Sequence, residues 1–194
     1  MAHSMILNTN SAPLVTIRPA SALDAPRLST FARRTFRVTF AAHNTPEDMN
    51  TYLSSAFTDA RQLAEIEAPD SFTLLAESGA TLVGYAQLRV GEAPGCVPDR
   101  HAIELVRFYV DAALQGRGLA QALMQAVLAA AAQRARTMWL GVWERNARAI
   151  AFYAKWGFID IGEHVFMLGS DRQTDRIMWR ADPMTAETVS RAFK

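Results

Sequence analysis

Phe108-Tyr-Val-Asp-Ala-Ala-Leu-Gln-Gly-Arg-Gly-Leu-Ala120 is the stretch from which the fold is read. A strand-like run ends at Val110 and a glycine-containing loop follows. From Gly118 to Gln133 the residues Leu119, Ala120, Leu123, Met124, Val127, Leu128 and Ala131 fall in one helical stripe. Glycine tolerates positive φ and lets a backbone approach a ligand closely. The first N–H groups of a helix have no intrahelical partners and suit a phosphate. Gln115 to Ala120 therefore predicts an anion cradle, with Arg117 adding charge.

Three phosphate-binding patterns compete for this loop. A Walker loop needs Gly-Lys-Ser/Thr, and Gly118 is followed by Leu119 and Ala120. A dinucleotide fingerprint needs Gly or Ala where Gln121 stands, and an acid where Thr137, Met138 and Trp139 stand. What remains is Gln-x-x-Gly-x-Ala, Gln115 to Ala120.

Outward from this loop the chain alternates in kind. Upstream, Val15–Pro19 predicts a short strand. Asp24 is expected to cap a helix with Pro26 in its first turn and Leu28, Phe31 and Phe36 along it. Thr45 caps a second helix, with Pro46 at its first position and Glu47 and Asp48 in the first turn; a third, shorter helix is expected over Ala60–Glu67. Phe72–Glu77 and Thr81–Val90 form an expected hairpin about Ser78-Gly79, and Ile103–Val110 a further strand. Downstream, Thr137–Val142 reads as a strand and Asn146–Trp156 as a helix stopped by Gly157. Val165–Leu168 and Arg176–Arg180 read as strands around a Gly169–Asp175 turn. This order predicts a single α+β, or mixed α/β, domain over residues 14–182. Residues 1–13 read as an extension, with Met1–Ser4 an expression scar, and 183–194 as a tail.

Composition bounds the function. The chain has 194 residues, 50% hydrophobic and 20% charged, and a net charge of +1. That is enough to bury a core without staples, and it argues against a polyanion-binding protein. One cysteine, Cys96, excludes an internal disulfide framework and a cysteine zinc cluster. No spacing of histidines suggests a metal. The absence of a signal-like segment and of a long apolar run makes the cytoplasm the default compartment, with no membrane partner. The near-zero charge hides asymmetry: residues 1–40 carry +4 and residues 41–70 carry −5. The second block reads either as solvated helix faces or as an acidic wall that attracts a cation.

Two motifs carry a resemblance. Gln115 to Ala120 matches the (Arg/Gln)-x-x-Gly-x-(Gly/Ala) signature of the GNAT N-acetyltransferases. Trp139-Leu-Gly-Val-Trp-Glu-Arg-Asn-Ala-Arg-Ala-Ile-Ala-Phe-Tyr-Ala-Lys-Trp-Gly-Phe158 resembles their second motif, with Asn146, Tyr153 and Gly157-Phe158 on the matching positions. Thr35-Phe36, Asn44 to Phe57, Leu140 to Glu144 and Gln173 to Asp175 further resemble the PaiA-type spermidine/spermine N-acetyltransferases, from about Val15 to Arg180. The resemblance implies a mostly antiparallel, twisted sheet flanked by helices. It also implies acetyl transfer from acetyl-CoA to a polyamine or similar amine.

It implies roles for residues as well. Gln115, Gly116, Arg117, Gly118, Leu119 and Ala120 would hold the acetyl-CoA pyrophosphate. Phe108, Tyr109 and Val110 would offer backbone groups to its pantetheine arm, and Asn146 and Tyr153 would complete the seat. Tyr153 is the expected general acid at sulfur, since a phenol can donate there. Glu104, four residues before Phe108 on the same strand, is the first candidate for general base. His164 is the second, because an imidazole titrates in the useful range. Glu47, Asp48, Trp143, Glu144 and Asp175 are the candidate amine contacts, acids and rings both favouring cations. No metal is expected. The expected partner is a small-molecule amine, not nucleic acid, and a homodimer is left open. Other acceptors (an aminoglycoside, an amino acid, a protein N-terminus) and a non-catalytic acyl-CoA-binding regulatory module are the competing readings.

Overall fold

A strand running Val15–Pro19 (β1) opens the part of the chain that the computed structural model describes, residues 15–134 and 137–181. The expected extension 1–13 and tail 183–194 lie outside the described residues. Helix α1 (Ala25–Phe40) follows, with Pro26 in its first turn and Leu28, Phe31, Ala32 and Phe36 buried at helical spacing. Asp24 stands at the N-cap position of α1 as expected, but its side chain makes no capping hydrogen bond to the helix. Its carboxylate instead accepts from the Ser21 N–H and from Arg18, each at 2.8 Å, and from Arg27 at 2.9 Å. Two guanidinium groups compete better for a carboxylate than helix amides do.

Helix α2 (Pro46–Ala56) is capped as expected: Thr45 accepts from the Asp48 N–H at 3.2 Å. Helix α3 (Asp59–Glu67) is capped by Thr58. Strands β2 (Ser71–Ser78) and β3 (Thr81–Arg89) form the hairpin, turning at Gly79 with φ of 59°. Then come β4 (Ile103–Val110), α4 (Leu119–Ala132), β5 (Met138–Trp143) and α5 (Ala147–Lys155).

The last hairpin differs from expectation. β6 (Ile159–Leu168) and β7 (Asp171–Arg180) are long strands joined tightly at Gly169-Ser170. A polar run such as Asp171 to Asp175 reads as a loop, but here it forms a ladder whose turn is pinned from outside. Asp48 accepts from the Ser170 N–H at 2.7 Å and its hydroxyl at 2.9 Å. Gly169 lies so close to Asp48 that a β-carbon would meet its Cα at 2.7 Å.

All seven strands join one sheet in the order β1-β2-β3-β4-β5-β7-β6. Among the described residues every pairing is antiparallel except β4 with β5, which pair in parallel only at Ile103–Met138 and Glu104–Trp139. Beyond Glu104 the two strands diverge and leave a wedge in the sheet. Val106 is the extra residue of a β-bulge, since Gln87 faces Arg107 while Leu88 faces Leu105. The bulge resets the alternation of sides. Ile103, Leu105, Phe108 and Val110 join the core beneath α4 and α5, whereas Tyr109 joins the core beneath α1 and α2 and Arg107 lies over Phe57. Among the described residues no helix is long and apolar enough to cross a membrane.

Candidate active site

The wedge between β4 and β5 joins two cavities on opposite faces of the sheet. One, of about 450 Å³, is a groove under α4 and α5 that runs past Leu105–Val110, Gln115, Ala120, Asn146, Arg148 and Tyr153. The other, of about 200 Å³, lies under α1 and α2 and is lined by Glu104, His164, Asp175, Trp143 and a set of aromatic rings. Val106, Arg107, Tyr109, Gly141 and Phe40 line both. A long ligand in the groove can therefore present its end to the second cavity through the wedge.

The groove begins at the glycine loop. Gly116 and Gly118 have φ of 78° and 83°, the left-handed region that glycine enters freely. A β-carbon on either would meet nothing within 4 Å, so the loop's surface is open. Gly118 is the N-cap of α4, and no side chain caps that end. Its first amides are thus free for an anion. Leu119 is buried in the core and offers only its backbone, while Arg117 is exposed beside the loop. Asn146 caps α5, its side-chain oxygen accepting from the Ala149 N–H at 3.1 Å. Arg148 donates to Gln115 across the groove mouth. These residues fit a long, thin ligand with a phosphate-rich head: amides and cations at one end, apolar walls along the middle.

Tyr153 lies on the floor of the groove, with ring centroids 6.3 Å from Phe108 and 5.8 Å from Phe158. Burial raises its phenol pKa, which keeps it protonated across the working range. A neutral phenol can donate a proton or a hydrogen bond to a group lying in the groove.

In the second cavity the polar groups converge from three strands. His164 and Asp175 are cross-strand partners on β6 and β7, with Nε2 to Oδ2 at 3.8 Å. At that distance the carboxylate acts mainly through its charge. It pushes the imidazole pKa up, burial pulls it down, and Glu104 adds to the upward push. The His164 Nε2 is buried and has no hydrogen-bond partner. Glu104 is held from β3 by Arg89, whose Nε and Nη2 donate to Oε2 at 3.0 and 2.5 Å. Trp143 packs against Phe40 and His43, with centroids at 5.9 and 5.2 Å.

The expected site residues thus divide. Glu104, His164, Trp143 and Asp175 come together in one cavity, and Tyr153, Asn146, Gln115, Ala120 and Phe108–Val110 in the other. Glu47 and Glu144 lie outside both cavities, and Asp48 holds the β6–β7 turn. No acid of the 41–70 block lines the second cavity; its carboxylates are Glu104 and Asp175. The acidic wall expected from that block is therefore not the cavity wall, because those acids face solvent or structural partners.

Sequence reasoning missed Gly141, Arg107, Arg148 and the rings of Phe36 and Tyr52. Two signals were available. Gly141 interrupts a strand, which marks a close approach by another group. Arg148 sits in the first turn of α5, where the helix dipole disfavours a cation unless an anion is near.

Comparison with known proteins agrees with this geometry. The model of the Acetyltransferase (GNAT) family matches residues 37–158. An uncharacterized N-acetyltransferase of Lactobacillus delbrueckii subsp. lactis is 35% identical over 168 residues, covering 86% of this chain and 97% of that protein. An uncharacterized N-acetyltransferase of Mycobacterium tuberculosis is 35% identical over 158 residues, covering 81% of this chain and 97% of that one. Among solved structures, PaiA N-acetyltransferase from Thermoplasma acidophilum in complex with coenzyme A superposes with a TM-score of 0.71. It covers 87% of this chain and 99% of that chain at 22% identity, a likeness of fold.

Proposed function

Because the chain belongs to the GNAT family of acetyltransferases, we propose that residues 14–182 form one domain that moves acetyl from acetyl-CoA to a primary amine. The acceptor in this reading is a polyamine such as spermidine or spermine. The observation that carries it is the junction of the two cavities at the wedge. An anion-binding groove meets a ring-lined chamber whose wall bears the Glu104 and Asp175 carboxylates. Carboxylates and aromatic faces both attract alkylammonium groups, and an apolar wall suits the methylene spacers between them. The PaiA-like sequence features and the PaiA structural neighbour support the same acceptor class.

Acetyl-CoA, when bound, supplies an acyl group already activated as a thioester, so no covalent enzyme intermediate is needed. The chain's own residues then have four tasks. The open amides of α4, with Gln115, Arg117 and Arg148, hold the phosphate head. The backbone of Phe108–Val110, on the unpaired side of β4, fixes the arm and polarises the acyl carbonyl. Glu104, with His164 beside it, takes the proton that an alkylammonium must lose before it can attack. Tyr153 gives a proton to the departing thiolate.

Release of free thiol from acetyl-CoA, followed across an amine panel, tests this function. Turnover of spermidine well above that of an aminoglycoside, an amino acid and a peptide N-terminus supports it. Turnover confined to one of the others would replace the acceptor. Acetyl-CoA binding without turnover of any amine would leave a regulatory acyl-CoA binder.

A further inference from the structure

We infer that Glu65, which lies outside the acceptor cavity, sets its specificity: by cancelling the Arg107 charge it confines the site to amines that carry no carboxylate. The inference rests on the amine-acetylating reading above and refines it.

The argument starts from the β4 bulge. Without the extra residue Val106, Arg107 would continue the side of Ile103 and Leu105 and point into the core beneath α4 and α5. With it, Arg107 is turned onto the wall shared by both cavities. The wedge therefore comes with a cation beside the acceptor. Only 11% of that side chain is exposed, and its guanidinium lies 4.8 Å from the Phe57 ring centroid. Left alone, a charge in so dry a place would repel an ammonium group and attract a carboxylate.

Glu65 on α3 removes both effects. Arg107 Nη1 donates to Glu65 Oε2 at 2.5 Å and to Gln87 Oε1 at 2.8 Å. Its Nη2 donates to Glu65 Oε1 at 3.3 Å and to the Ala56 carbonyl at 3.5 Å. Both terminal nitrogens are thus engaged and offer nothing to a substrate carboxylate. Arg61 also donates to Glu65, from the solvent side at 2.7 Å, and does not reach the cavity. With Arg107 neutralised, the ionisable groups left facing the acceptor are the carboxylates of Asp175 and Glu104, the latter shared with Arg89, and the His164 imidazole that lies 3.8 Å from Asp175. Such a wall favours a molecule cationic at both ends over one with an ammonium at one end and a carboxylate at the other. Glu65 touches no substrate in this scheme and acts through Arg107 as a positioning residue.

The test uses two acceptors of the same length, 1,4-diaminobutane and 4-aminobutanoate, with the full chain and acetyl-CoA. The measured quantity is the ratio of their kcat/KM values. Wild type is expected to favour the diamine, and Glu65→Gln to lower the ratio by about tenfold or more as the guanidinium becomes available. Glu65→Gln combined with Arg107→Gln is expected to return the ratio to within about threefold of wild type, since the effect passes through Arg107. Arg107→Gln alone keeps or raises the ratio, and it serves if Glu65→Gln, with its unpaired buried cation, does not fold. A ratio unmoved in folded Glu65→Gln, a double variant shifted like the single one, or a ratio lowered by Arg107→Gln overturns the inference while leaving amine acetylation intact. Wild type that prefers 4-aminobutanoate overturns the acceptor reading and this inference together, whereas wild type that turns over spermidine but not 1,4-diaminobutane faster than 4-aminobutanoate overturns this inference alone.

Discussion

The His164 imidazole lies across Gly141, with Nε2 only 2.7 Å from where a β-carbon on that glycine would stand. Asp175 Oδ2 approaches the same point at 3.4 Å. The ring fills the space that any other residue on β5 would occupy. Gly141→Ala is therefore expected to push His164 off Asp175. Crowding of this kind costs about 1–3 kcal/mol of stability. In the same variant kcat should fall at least about tenfold while the KM for acetyl-CoA changes little. Steady-state kinetics beside thermal unfolding checks this; full kcat in a folded variant would show that the ring's position is immaterial.

The charge beside His164 gives a pH signature. Asp175 pushes the imidazole pKa up, so the neutral, proton-accepting form predominates only above a raised value. Asp175→Asn should move the ring's titration, followed by NMR, to lower pH, and any acid limb of kcat/KM that His164 governs should move with it. Stability runs the other way. A pKa raised by folding means that the His164–Asp175 attraction contributes fully below the unfolded value and is lost as pH rises through the folded one. A ring that titrates unchanged in Asp175→Asn would contradict this account.

Tyr153→Phe removes one oxygen from the groove floor and leaves the ring. If the phenol protonates the thiolate, kcat should fall about a hundredfold, while the calorimetric Kd for acetyl-CoA stays within about threefold. Because burial raises the Tyr153 pKa, no loss of rate near pH 8 should trace to its ionisation. An undiminished kcat removes the role.

The loop can be tested without touching the acceptor side. Gly118 has φ of 83°, and a side chain there costs about 1–2 kcal/mol in backbone strain. Gly118→Val should weaken acetyl-CoA binding at least about tenfold. Arg148→Ala should weaken it less and flatten its salt dependence, with stability unchanged. Calorimetry at two ionic strengths separates the two; equal affinity in both variants would move the phosphate head elsewhere.

Asp24 offers a control remote from the chemistry. Hydrogen bonds from Arg18 hold its carboxyl far below the ordinary aspartate range. That contribution is present above the unfolded pKa and lost as pH falls towards the folded one. Asp24→Asn should cost about 2 kcal/mol at pH 7, with the deficit shrinking in acid, and leave acetyl-CoA affinity unchanged. Denaturant unfolding at pH 7 and pH 3 checks it; an equal deficit at both would mean that charge is not what Asp24 contributes.

Element order could be read from sequence because each helix and strand carries a local cause. Thr45 and Asn146 cap, Gly157 stops, and the α4 stripe is apolar at helical spacing. Local pattern makes the β6–β7 hairpin too short because its tight turn is set by Asp48, which is distant in sequence. The acceptor side is legible only in part for the same reason. Glu104 and Asp175 come to line one cavity through strand order, and Arg107 reaches the cavity wall through a one-residue bulge that no local pattern announces. A near-neutral composition likewise gave no hint of which acids meet which arginines.

Among the described residues only two pairs, Ile103–Met138 and Glu104–Trp139, link the strand set β1–β4 to the set β5–β7 by backbone ladder. The sheet is in effect two plates sharing a short rivet. A ligand lying along the open edge of β4 and touching β5 would act as the missing length of that seam. Loading the cofactor should then lock the plates together, and amide exchange in Leu140–Trp143 should slow on binding more than in β2 or β3.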